Sequence, residues 1–155
     1  MTDNGRDPVS LLWADDDSLD ALEALTEDLE DANFQLERAV DFLGAVKRLE
    51  DGGVQALLLD VILPHARGSG SLAYDLGMTL AELAAAKFGV KSVVFLTVVR
   101  KSEVADRYNR LGSDHAGVEF AYFDKTQLFE KHVMENIFNC LRARKAGSRG
   151  GRDDA

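Results

Sequence analysis

The sequence predicts a single open, doubly wound α/β domain, and three observations carry that reading. Short apolar runs alternate with amphipathic stretches, five of each along the chain. The most apolar run, VQALLLDVILP at 54–64, has no polar alternation, as in a strand of a parallel sheet covered on both faces. The length of 155 residues suits one domain, and a domain of that size buries roughly 70% of its unfolded surface.

Residues 1–8 are polar and end in Pro8, which predicts a loose lead-in to a domain spanning 9–143. VSLLWA at 9–14 reads as a short buried strand. From Ser18 the period becomes helical: Leu19, Leu22, Leu25 or Thr26, and Leu29 share one side, and Glu23, Glu27, Asp28, Glu30 and Asp31 take the other. Ser18 or Asp17 is placed to cap that helix. FQLERA at 34–39 sets Phe34 and Leu36 against Gln35 and Glu37, a strand with one wetter face, as at a sheet edge. Asp41 can cap a second helix carrying Phe42, Leu43, Val46 and Leu49 and closed by Gly52-Gly53.

After the 54–64 strand, the glycine- and serine-rich segment 65–77 predicts a long loop. A helix over 79–88, a strand over 90–98 and a helix over 102–111 follow, and Gly112 and Gly117 bracket a polar turn. VEFAYF supplies the fifth strand and 127–143 the last helix, where Cys140 is expected as a buried thiol; the tail 144–155 reads as disordered.

In such a sheet the ligand site lies at the carboxyl ends of the strands. The polar residues there are Asp15, Asp16 and Asp17 after the first strand, Asp60 in the third, Thr97 in the fourth and Lys125 after the fifth. Three adjacent like charges at a buried strand end need solvent or a cation. The carboxylates of Asp15, Asp16 and Asp60 are hard oxygen ligands suited to Mg²⁺, and no histidine or cysteine accompanies them to favour zinc. Thr97 and Lys125 offer a hydroxyl and a fixed positive charge for a phosphoryl group, and Asp60 is the candidate nucleophile because its carboxylate is ionised at neutral pH.

The net charge of -9 argues against broad electrostatic capture of nucleic acid or anionic lipid. No apolar stretch reaches membrane-spanning length and no leader pattern opens the chain, so a cytoplasmic protein is expected. A single cysteine excludes an internal disulfide and a CxxC redox pair. A haloacid-dehalogenase-type phosphatase also forms an aspartyl phosphate, but its further acidic pair would have to be Asp153-Asp154 in the tail, and Asp60 would be left without a role. Three aspartates after the first strand would repel the pyrophosphate of a dinucleotide.

Through WADDD, LLLDVILP, VVFLTV and YFDK, over roughly residues 9–143, the chain resembles the receiver domain of two-component response regulators, here a stand-alone one. The resemblance implies a flavodoxin-like (βα)5 fold with sheet order 2-1-3-4-5 and a phosphoryl group accepted from a histidine kinase or phosphotransfer protein. Asp15 and Asp16 would be the Mg²⁺-binding pair and Asp60 the phosphoacceptor and third side-chain ligand. The Ile62 carbonyl would complete the metal site, with Thr97 the switch hydroxyl, Tyr122 the switch aromatic and Lys125 the stabilising lysine. Val104, Arg107, Tyr108, Tyr122 and His132 would contribute to a protein-binding face, opposite which a downstream target docks. No enzymatic turnover is expected beyond Mg²⁺-dependent self-phosphorylation and slow self-dephosphorylation, and no nucleic-acid or membrane partner. The open alternative is a receiver-like interaction module that works without phosphorylation.

Several positions depart from the family pattern. Val98 stands where a small residue is usual, which predicts tighter access. Thr126 replaces the usual proline after the lysine, which predicts a trans bond and a different loop. The loop after Pro64 is longer than usual, with His65 and Arg67 placed to meet a phosphodonor. Ile62 and Val99 occupy positions that often admit hydrolytic water, and their apolar side chains predict slow loss of phosphate.

Overall fold

The computed structural model describes residues 7–16, 20–66, 72–73 and 76–142. The expectations for the lead-in 1–6, for Asp17 and Ser18, for Arg67 and for the tail from 143 onward lie outside them.

Five parallel strands form one sheet: β1 (Val9–Ala14), β2 (Phe34–Ala39), β3 (Ala56–Leu59), β4 (Ser92–Thr97) and β5 (Glu119–Asp124). Their order is β2-β1-β3-β4-β5, the order the resemblance implied. The helices between them are α1 (Asp20–Asp31), α2 (Phe42–Glu50), α3 (Leu76–Lys87), α4 (Ala105–Asp114) and α5 (Lys131–Leu141).

The strand alternation divides the core into two layers. Leu12, Ala14, Leu57, Leu59, Val93 and Phe95 face α2, α3 and α4, where they meet Ala45, Leu49, Leu80, Ala84 and Leu111. Leu11, Trp13, Ala56, Leu58, Val94 and Leu96 face α1 and α5, against Leu25, Leu29, Val133, Ile137 and Leu141. Each fully buried leucine contributes roughly 2 kcal/mol relative to exposure. The buried Ser92 hydroxyl donates to the Leu141 carbonyl at 2.8 Å, which satisfies one of the carbonyls that the end of α5 leaves open.

Asp41 caps α2 as expected, its Oδ1 accepting from the Gly44 N–H at 2.7 Å. The chain turns out of α2 through Gly52 and Gly53, both at φ 85°, a conformation that side chains rarely adopt.

Four boundaries differ from the sequence reading. Only Ala56–Leu59 of the 54–64 run is in the sheet: Val61 and Leu63 are buried outside it, and Leu63–Pro64 pairs antiparallel with Leu72–Ala73. The expected long loop 65–77 therefore contains a short paired segment, and α3 begins at Leu76 rather than at 79. Gly112 lies inside α4, which runs on to Asp114 after a 3-10 turn at Lys101–Glu103. The last helix starts at Lys131 rather than 127, because Asp124 accepts from the Thr126 N–H (2.9 Å) and hydroxyl (2.7 Å) and turns Lys125–Gln127 into a 3-10 turn. Cys140 is half-buried rather than fully buried.

No helix among the described residues is long and apolar enough to cross a membrane.

Candidate functional site

Four strands end within reach of one another and deliver four polar side chains to a shared pocket. Asp15 follows β1 and is fully buried, Asp60 follows β3 at 7% exposure, Thr97 closes β4 fully buried, and Lys125 follows β5. The β1–β3 and β4–β5 registers bring them level, pairing Ala14 with Leu59 and Thr97 with Asp124. Parallel pairing of adjacent strands thus closes a gap of 110 residues between Asp15 and Lys125.

Lys125 Nζ donates to Asp15 Oδ2 at 2.8 Å and to Asp60 Oδ2 at 2.9 Å. The other oxygen of Asp60 accepts from the Thr97 hydroxyl at 2.6 Å and from the Ile62 N–H at 3.1 Å. Three donors from three elements therefore orient one carboxylate. Burial lowers the Lys125 pKa, but the hydrogen bonds and charges of Asp15 and Asp60 outweigh it, so the ammonium is held above its ordinary range.

From Asp60 the hydrogen bonds continue outward. Thr97 Oγ1 accepts from the Val99 N–H at 3.2 Å, and the Val99 carbonyl accepts from the Tyr122 hydroxyl at 2.7 Å. Tyr122 is half-buried, its ring 5.6 Å from both Phe95 and Tyr108, and Lys101 lies over the Tyr108 ring at 4.6 Å. Burial first, and then Asp60, Glu103 and Asp124, push the Tyr122 pKa up to about 12; burial is also the main cause that raises Tyr108 to about 12. The phenols thus stay protonated and available as donors throughout the neutral range.

Asp60 and Gly77 meet at the back of the pocket. The Gly77 N–H donates to the Val61 carbonyl at 3.0 Å, and a Cβ on Gly77 would stand 2.1 Å from the Asp60 carbonyl oxygen. Glycine alone lets α3 come this close to the backbone behind the carboxylate.

The predicted residues are not all gathered alike. Asp15, Asp60, Thr97 and Lys125 meet, and Ile62 joins through its N–H. Asp16 is exposed, and no group of three potential metal-ligating side chains is assembled among the described residues. The donor chemistry still fits a hard cation: two buried carboxylates share one ammonium, which leaves a net negative pocket lined by oxygen, with Asp16 adjacent in the chain.

Val98, beside Thr97, is 60% exposed. The bond between Lys125 and Thr126 is trans, as expected. His65 is exposed and stacks on Phe42 with centroids 6.0 Å apart. Of the expected protein-binding face, Val104, Tyr108 and Tyr122 are half-buried and His132 is exposed; Arg107 donates to Thr79 of α3 at 3.4 Å, so part of its charge is turned inward. The Val99 carbonyl and Gly77 were missed in the sequence: a carbonyl leaves no residue-type signal, and Gly77 is hidden at the end of a glycine-rich stretch.

No protein-family model matches the sequence, and no curated protein matches it. Solved structures do resemble it. A CheY-like response regulator receiver domain protein from Methanospirillum hungatei superposes with a TM-score of 0.66 at 20% identity, over 92% of this chain and 99% of that one. The signal receiver domain of an HD domain-containing protein from Pseudomonas fluorescens gives 0.66 at 17% identity, over 90% and 98%. A two-component response regulator from Clostridium difficile gives 0.65 at 17% identity, over 88% and 97%. The fold is the one that these receiver domains share.

Proposed function

We propose that this chain is a phosphoacceptor signalling protein, in which Asp60 takes a phosphoryl group from a histidine kinase or phosphotransfer protein and a protein-binding face responds. The observation that carries the reading is the Asp60 carboxylate, nearly buried yet held by the Thr97 hydroxyl, the Ile62 N–H and the Lys125 ammonium. Those donors, from the loop after β3, the end of β4 and the turn after β5, converge on one carboxylate.

In this reading a carboxylate oxygen of Asp60 forms a bond to the phosphorus of a phosphohistidine as the phosphorus–nitrogen bond breaks, and the electron pair leaves on the imidazole. Mg²⁺, held by Asp15, Asp16, Asp60 and the Ile62 carbonyl, would neutralise charge on the incoming phosphoryl oxygens. Lys125 is a second cation at the same oxygens, and the Thr97 hydroxyl, freed from the carboxylate, can donate to the new phosphoryl group. The product remains an acyl phosphate, so the chain carries a transient charge rather than turning over a separate substrate.

The response would travel along the hydrogen bonds already described. A shift of Thr97 toward the phosphoryl group moves the oxygen that accepts from Val99, whose carbonyl anchors the Tyr122 hydroxyl. Tyr122 packs on Tyr108 of α4, so the ring ties the loop after β4 to the β5 surface. Phosphorylation then biases a two-state element through added charge.

Incubation with acetyl phosphate or phosphoramidate and Mg²⁺, followed by intact-mass measurement, tests this. The parent should gain one phosphoryl group and Asp60→Asn none. No gain in either folded protein would replace this reading with an interaction module that works without phosphorylation.

A further inference from the structure

We propose that Lys101 is a positioning residue that holds the loop after β4 in its unphosphorylated place and so slows phosphoryl loading of Asp60; the inference rests on the phosphoacceptor reading above. In that loop Val99 donates its N–H to Thr97 Oγ1 at 3.2 Å and takes the Tyr122 hydroxyl on its carbonyl at 2.7 Å. Two residues later the exposed Lys101 lies over the Tyr108 ring, its Nζ 4.6 Å from the centroid. That distance is within the range of a cation–ring attraction.

Tyr108 is where this contact meets the switch aromatic. Its ring stands 5.6 Å from Tyr122 at 85° and 5.9 Å from Phe95 at 67°. The backbone closes the same circuit, because the Val104 N–H donates to the Lys101 carbonyl at 3.0 Å and the Tyr108 N–H to the Val104 carbonyl at 2.9 Å. The 3-10 turn at Lys101–Glu103 and the first turn of α4 are therefore one hydrogen-bonded unit, with the lysine cation drawn onto a ring seven residues ahead. The loop is thus anchored at two points, by the Val99 carbonyl to β5 and by Lys101 to α4.

When Thr97 turns toward a phosphoryl group, the oxygen that accepts from Val99 moves and the loop must follow. The Lys101 contact opposes that movement, since it belongs to the arrangement in which Thr97 is still bonded to Asp60. A contact made only in the starting state lowers the population of the other state by its own strength. For a cation over a ring at an exposed site that is about two- to fivefold. The sign separates this role from two others. A lysine that attracts an anionic phosphodonor would slow loading when its charge is removed, and one that only decorates the surface would leave the rate unchanged. Removing a brake speeds loading.

The test is the rate of loading from acetyl phosphate with Mg²⁺, followed by intact mass, in the parent, Lys101→Met, Lys101→Arg, Tyr108→Leu and the double variant Lys101→Met with Tyr108→Leu. Thermal unfolding of each checks the fold, and the two Lys101 variants decide the sign even if Tyr108→Leu does not fold. The expected result is loading about two- to fivefold faster in Lys101→Met, near-parent loading in Lys101→Arg, which keeps a cation over the ring, and no further gain from Lys101→Met once position 108 is leucine. Loading by the parent with an equal or slower rate in Lys101→Met would overturn the role of Lys101 and leave the phosphoacceptor reading standing. So would an arginine variant as fast as the methionine one, or full acceleration by Lys101→Met in the Tyr108→Leu background. No loading of the folded parent would overturn both.

Discussion

Replacing Lys125 with methionine keeps the length of the side chain and removes its charge from between two carboxylates. Asp15 is fully buried and the Asp60 side chain is 10% exposed, so neither can recover in water what it loses from the ammonium at 2.8 and 2.9 Å. Breaking a buried pair by deleting one partner costs about 3–5 kcal/mol, because the remaining charge stays desolvated. For a domain of this size that is a fall in Tm of roughly 10 °C. The assay is thermal and urea unfolding of the parent, Lys125→Met, Asp60→Asn and the double variant, in chelator and in millimolar Mg²⁺. The double variant should recover part of the loss, since it leaves one buried charge fewer, and Mg²⁺ should recover part of it in Lys125→Met alone. A loss below about 1 kcal/mol, the level of a surface ion pair, would refute the claim that the pocket is desolvated and electrostatically coupled.

Alkaline stability is the next expectation. Tyr108 and Tyr122 have folded pKa values raised to about 12, so the stability they contribute is complete below about pH 10 and is lost as pH rises toward 12; Lys125, also raised above its ordinary value, contributes in the same direction. Tm should hold to about pH 9.5 and then fall, and phenolate absorbance should show two tyrosines ionising late. Gly77→Ala should cost about 2 kcal/mol or more in urea unfolding, because its Cβ would sit 2.1 Å from the Asp60 carbonyl oxygen and backbone would have to shift; an Ala variant as stable as the parent would contradict that close approach. Ile62 and Val99 are half-buried beside Asp60 and Thr97. After loading from a small phosphodonor, the aspartyl phosphate should survive several-fold longer in the parent than in an Ile62→Asn, Val99→Glu variant, as followed by intact mass over time.

Much of the fold was legible because the strands are short and closely patterned. VSLLWA and FQLERA were bounded to the residue, the first by its short apolar run and the second by its edge-strand alternation. The 54–64 run misled because hydrophobicity reports burial rather than strand: Val61 and Leu63 enter the core after the chain has left the sheet. The start of the last helix was obscured by the local bonds of Asp124 to Thr126, which compete with helix over the next few residues. The inner site was legible because each residue type sits at a strand end, where parallel pairing aligns them. Asp16 faces solvent because it lies one residue beyond the buried Asp15. The Tyr122–Val99 bond runs to a backbone oxygen, and the stacking of Arg38 on Trp13 depends on the β1–β2 register; neither leaves a pattern along one chain.

The central claim is that the Asp60 side chain itself receives the phosphoryl group. Reduction with borohydride after exposure to acetyl phosphate and Mg²⁺ converts an aspartyl phosphate to homoserine, which fragment mass spectra locate to a residue. The account predicts homoserine at position 60, dependent on phosphodonor and on Mg²⁺. Reduction at another acidic residue while Asp60 remains intact, or none at all in the folded parent, would contradict it.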